Sequence, residues 1–223
     1  HLPYGDKSAE TVIRYAVEIS RFLISNNCKA IVIACNTASA LAFDTIKTRF
    51  PEIKVYNVID PVVEIVATSG YLNIGVIGTR STIASGIYAA KIKRVSPHLK
   101  VHSLATPLLA PMVEEGYHNK NISEDIISSY LSNPKLNDIE ELILGCTHFP
   151  LIKDEINDFY NGKVQLIDSP AIVANKIYNE LKNSNMLSKN PKPEYSFFVS
   201  DLTASFANSA SRFFTDKVNL KEY

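Results

Sequence analysis

The chain has 223 residues, enough for one large α/β domain or two small ones sharing a cleft. Its 23 Lys+Arg balance 23 Asp+Glu with no basic block, so nothing electrostatic favours nucleic acid as a partner. No apolar run approaches the roughly 18 residues of a membrane helix and no signal-peptide pattern opens the sequence. The three cysteines (Cys28, Cys35 and Cys146) lack disulfide-framework spacing, which points to a reducing cytoplasm.

In chain order, residues 1–8 are turn-rich and end at Ser8, a helix cap with Glu10 in the following first turn. Val12, Ala16, Ile19 and Leu23 then share one helical face. A strand runs through Ile33, and after Thr37 a helix carries Leu41, Thr45 and Ile46. A strand over 53–59 leads to Asp60-Pro61, a helix start that buries Val62, Ile65 and Val66. A strand over 73–79 precedes a helix reaching about Val95, and a short strand covers 100–104. A helix over 107–115 is stopped by Gly116, and Ser123 caps the next one, through Leu131.

The apolar run ending at Gly145-Cys146 is a further strand, after which Pro150 opens a helix. A strand over 164–167, a helix from Ser169-Pro170 packing through Val173, Ile177 and Leu181, a strand over 195–199 and a helix around Phe206, Ala210 and Phe213 complete the chain. Strands alternate with helices throughout, so the expected fold is α/β with parallel sheets covered on both faces.

Two stretches match one another: Ala34-Cys35-Asn36-Thr37-Ala38-Ser39, and Gly145-Cys146-Thr147-His148-Phe149-Pro150. Each places a cysteine where a buried strand hands over to a helix, at the sheet edge where ligands of open α/β sheets collect. Most cysteines in apolar strands are small buried hydrophobes, and that is the reading for Cys28. At a strand-to-helix junction, free N–H groups and the helix dipole favour the thiolate and predict a pKa below the usual 8.5 or so. Cys35, Cys146 and His148 are also three potential metal ligands, but Cys-x-His is an uncommon zinc spacing and no fourth ligand is evident. The Gly75-Val-Ile-Gly78 turn lacks the full dinucleotide fingerprint; Thr79, Ser81 and Thr82 after it could hold a carboxylate. His98, His102 and His118 read as surface residues, and Glu114-Glu115 as the charged end of a helix.

Taken with the opening Pro3-Tyr4-Gly5-Asp6-Lys7-Ser8, the Gly78-Thr79-x-x-Thr82 turn and the Val113-Glu114-Glu115-Gly116 helix end, the paired cysteine motifs resemble glutamate racemase over nearly the whole chain. The resemblance implies two pseudo-symmetric, Rossmann-like α/β lobes with the active site in the cleft between them. Residues 1–59 plus 170–223 would form the first lobe and 60–169 the second. It implies Cys35 and Cys146 as acid/base residues assisted by His148 and Glu114, and substrate contacts from Pro3, Tyr4, Gly5, Asn36, Thr37, Thr82 and Thr147. It implies no cofactor and no metal, glutamate as substrate, and D-glutamate supplied to peptidoglycan in the cytoplasm. A homodimer is expected only because dimers are the commonest soluble assemblies.

One departure stands out. Members of this family carry an Asp-Ser-Gly strand ahead of the Pro-Tyr-Gly loop, and the chain, which begins at His1, has none. A missing β–α–β unit of roughly 30 residues or more is the expectation. It leaves two other functions open: a racemase of aspartate or another acidic amino acid, and a catalytically silent amino-acid-binding protein.

Overall fold

The computed structural model describes residues 3–118, 121–190, 192, 194–204, 206, 207, 210 and 219–223. Its contacts divide into two units, His1–Glu180 and Leu181–Tyr223.

The first unit opens with a 3₁₀ turn, Tyr4–Asp6, and then α1 (Ala9–Ser25), capped by the Ser8 hydroxyl, which accepts from the Thr11 N–H. The buried face of α1 is rotated from the expected one. Ile19 faces out while Val12, Val17 and Ser20 are buried. Ser20 can go inside because its hydroxyl donates to the Ala16 carbonyl at 2.7 Å. β1 (Ala30–Ile33) leads into α2 (Asn36–Arg49), which packs through Ala38, Ala42 and Ile46, and β2 (Lys54–Asn57) pairs in parallel with β1. α3 (Asp60–Val66) starts at Asp60-Pro61 as expected, but it buries Val62, Val63 and Val66 and leaves Ile65 exposed.

β3 (Asn73–Gly78) begins a four-stranded parallel sheet. The helix expected to reach about Val95 is α5 (Ile87–Val95), and a short α4 (Arg80–Ala84) precedes it. The break falls at Gly86, whose φ of 65° is a left-handed conformation that glycine adopts without the clash a Cβ would bring. β4 (Lys100–Ala105), α6 (Leu109–Glu114), α7 (Asn121–Leu131), β5 (Glu141–Gly145), α8 (Lys153–Phe159), β6 (Gln165–Ile167) and α9 (Ser169–Asn183) follow. Ser123, expected as a cap, lies inside α7, where its buried hydroxyl donates to Glu155.

The strand order is β4-β3-β5-β6. The chain leaves β3 for β4 on one side and returns to β5 on the other, so the carboxyl ends of β3 and β5 form the switch point where α/β folds open a crevice. Gly78 pairs directly with Gly145, which sets Thr79 and Cys146 side by side at that edge. Fully buried Ile74, Val76, Ile77, Leu142 and Ile143 hold the two strands in the core. Of the histidines expected at the surface, His98 is exposed, whereas His102 and His118 are half-buried.

In the second unit, β7 (Phe197–Val199) pairs in parallel with β8 (Leu220–Glu222), a strand the sequence pattern does not announce. Phe206 and Ala210 are helical as expected; Phe213 lies outside the described residues. Among the described residues, no helix is long and apolar enough to cross a membrane.

Candidate active site

Cys35 occupies the N-cap position of α2 with extended backbone (φ −84°, ψ 127°), so the first turn of a 14-residue helix begins at its sulfur. The N–H groups of Thr37 and Ala38 and the Thr37 hydroxyl lie on its side of the helix start and favour the thiolate. They do not win. Burial pushes the Cys35 thiol up and the neighbouring charge of Cys146 pushes it the same way, so the net direction is upward. This corrects the expectation of a low-pKa thiol at this junction: the donors are present, but desolvation outweighs them.

Cys146 is buried directly after β5. Its junction copies the first only in part. Thr147 and His148 form a turn, a short 3₁₀ segment spans Phe149–Ile152, and α8 starts only at Lys153. What flanks Cys146 is a chain of side-chain contacts. His148 Nδ1 lies 3.5 Å from the Cys146 sulfur, and its Nε2 lies 2.9 Å from Glu114 Oε1. Burial disfavours the imidazolium, but hydrogen bonds to Cys146 and Glu114 and their negative charge more than offset it, raising the His148 pKa to about 9. At neutral pH the ring is therefore a cation, with Nδ1–H donating to sulfur and Nε2–H to carboxylate. Glu114 faces inward while Glu115 is exposed, which separates the two residues of a pair that reads as a plain helix end.

Between the cysteine junctions sit three hydroxyls. Thr37 Oγ1 lies 2.8 Å from Thr79 Oγ1 and 3.2 Å from Thr82 Oγ1, and Thr79 donates to Thr82 at 3.0 Å. Thr79 also caps α4. The Pro3-Tyr4-Gly5 loop docks against the same place. Ser81 Oγ donates to the Gly5 carbonyl at 2.7 Å, Arg80 pairs with Asp6 at 3.1 Å, and a Cβ on Gly5 would stand 2.7 Å from Thr79 Cβ, an approach only glycine permits. Asn36 is buried at the start of α2, and Thr147 is exposed beside Cys146.

Thus Cys35, Asn36, Thr37 and Thr82, with the loop at Gly5, converge on one region, and Cys146, His148 and Glu114 form a chain of contacts within it. Thr79 and Ser81, noted in the sequence only as possible carboxylate holders, brace that region. Tyr88, whose hydroxyl reaches Asn36, carries no sequence signal, because its spacing to Ile92 reads as an ordinary core face. Among the described residues, no three His, Cys, Asp or Glu side chains cluster as a metal site.

The Asp/Glu/Hydantoin racemase family model matches residues 3–177. A glutamate racemase of Geobacter metallireducens is 38% identical over 221 residues, covering 97% of this chain and 81% of that protein. One of Aquifex aeolicus is 43% identical over 183 residues, covering 82% and 70%. The crystal structure of glutamate racemase from Francisella tularensis in complex with D-glutamate superposes with a TM-score of 0.93 at 35% identity, covering all of this chain and 84% of that one. The chain belongs to the Asp/Glu/Hydantoin racemase family. Its fold is that of the two-lobe α/β racemases.

Proposed function

We propose that this protein is a cofactor-independent glutamate racemase that interconverts L- and D-glutamate, with Cys35 and Cys146 as its two proton-transfer residues. The observation that supports the reading is that Thr79, which follows Gly78 where that residue pairs with the Gly145 ahead of Cys146, lies 2.8 Å from the hydroxyl of Thr37, two residues after Cys35. In this reading the lobe bearing Cys35 is built from residues 1–59 plus 170–223 and the lobe bearing Cys146 from 60–169.

Racemisation breaks the Cα–H bond on one face of the amino acid and forms a new one on the other. One cysteine, as thiolate, takes the α-proton; the other, as thiol, gives its proton to the opposite face; the reverse reaction exchanges their roles. The α-proton is far less acidic than a thiol, so matched acid and base are not sufficient. The carbanion needs fixed donors in a site shielded from water. The Thr37–Thr79–Thr82 hydroxyls, the Asn36 amide and the N–H groups opening α2 supply them beside Cys35. On the other face, the His148 imidazolium, held by Glu114, can give a proton to the Cys146 thiolate, and the imidazole that results can take one back from the thiol. Pro3, Tyr4, Gly5 and Thr147 complete the contacts to the substrate. The reaction makes D-glutamate for peptidoglycan in the cytoplasm.

Incubating the full gene product with L-glutamate in deuterated water tests this. Deuterium should enter at Cα as D-glutamate forms, and serine at either Cys35 or Cys146 should abolish racemisation. Glutamate that binds without any exchange would overturn the reading in favour of a binding protein.

A further inference from the structure

We infer that Tyr88 is a positioning residue that couples the two cysteine junctions, its hydroxyl fixing the Asn36 amide beside Cys35 while its ring lies along the backbone that delivers Cys146. What Asn36 contributes to turnover rests on the racemase reading; the contacts themselves do not.

Tyr88 is the second residue of α5 and is 3% exposed. Its hydroxyl donates to Asn36 Oδ1 at 2.7 Å in a fully buried bond between residues 52 apart in sequence. On the other side, a Cβ built on Gly145 would stand 3.5 Å from Tyr88 Cε2, so the ring borders the space that a side chain on the residue preceding Cys146 would take. A single side chain thus bonds the residue after one cysteine and lies beside the residue before the other. Burial, the charge of Cys146 and that of Asp60 all raise the phenol pKa, so the hydroxyl keeps its proton and remains a donor.

The consequence falls on Asn36. Its side chain is 2% exposed, and its Nδ2 has no hydrogen-bond partner among the described residues. An unpaired buried donor is costly, and an isolated amide could turn over to present its oxygen instead. With Oδ1 engaged by Tyr88, the planar amide presents both Nδ2 protons from its other edge, next to Cys35. That orientation offers a neutral donor to a carboxylate; the reversed one would offer a repelling oxygen. Packing alone does not require the hydroxyl. Tyr88 sits among Ile74, Val76, Ile92 and Ile143, where a phenylalanine ring would fill the same space.

Tyr88→Phe in the full gene product separates the two roles. The proposal expects kcat/KM for both enantiomers of glutamate to fall about tenfold or more, with the thermal midpoint shifted by no more than about 5 °C. Asn36→Ala should fall at least as far, and the double variant should be no worse than Asn36→Ala alone, because both changes disable one device. The ¹⁵N-resolved side-chain amide resonances of Asn36 should also move in Tyr88→Phe. Wild-type kcat/KM in Tyr88→Phe, or losses that multiply in the double variant, would overturn the proposal while leaving the racemase reading intact. If the wild-type protein does not turn over glutamate, the racemase reading fails and the resonances decide this one: unmoved in Tyr88→Phe, they overturn it.

Discussion

At Cys35, burial and hydrogen bonding oppose each other, and the outcome has a kinetic signature. Because burial holds the thiol above the ordinary cysteine value of about 8.5, little Cys35 is thiolate at neutral pH. In the direction that uses Cys35 as base, kcat/KM should therefore keep climbing as pH rises past that value; a plateau by about pH 8 would contradict the assignment. His148 gives a stability signature instead. Its proton is held with a pKa of about 9 in the fold and about 6.5 in the unfolded chain, so the folded state binds it more tightly. That contribution is fully present below about pH 6.5 and is lost as pH rises through about 9. The thermal midpoint of wild type minus that of His148→Gln should accordingly be largest near about pH 6 and close by about pH 10. A difference that grows with pH would show that the imidazole is neutral.

Among the elements, the β3–β5 pair carries the tightest steric constraint. A Cβ on Gly145 would lie 2.6 Å from the Ile77 carbonyl oxygen, an atom of the sheet backbone that cannot turn aside. Gly145→Ala should destabilise the fold by about 1–3 kcal/mol, read by denaturant unfolding. It should also lower kcat, since the strand it displaces delivers Cys146. An unchanged unfolding midpoint would mean the strands part freely there. Most elements were legible from the alternation of short apolar runs with capped helical stretches, because that pattern is local. The exceptions have causes that apolar periodicity does not register. Ser20 took a core position from Ile19 by bonding back to Ala16, and the left-handed turn at Gly86 separates α4 from α5. The strand at Leu220–Glu222 is too short and polar to announce itself.

For the whole molecule, the sequence names the chemistry but not its electrostatics. The cysteine motifs and the resemblance they carry point to both sulfurs. The direction of the Cys35 shift, the cationic His148 held by Glu114 and the Tyr88 strut all depend on what the fold brings together from distant positions. In the proposed mechanism two sulfurs reach one carbon from opposite faces. Each cysteine left alone should then still remove and return a proton on its own face. The most direct measurement is Cα–H exchange into deuterated water by Cys35→Ser and Cys146→Ser, each supplied separately with L- and with D-glutamate and read by NMR. The account predicts that each variant exchanges a single enantiomer and that the two variants choose opposite ones. Exchange of the same enantiomer by both variants, or of both enantiomers by either, would contradict it.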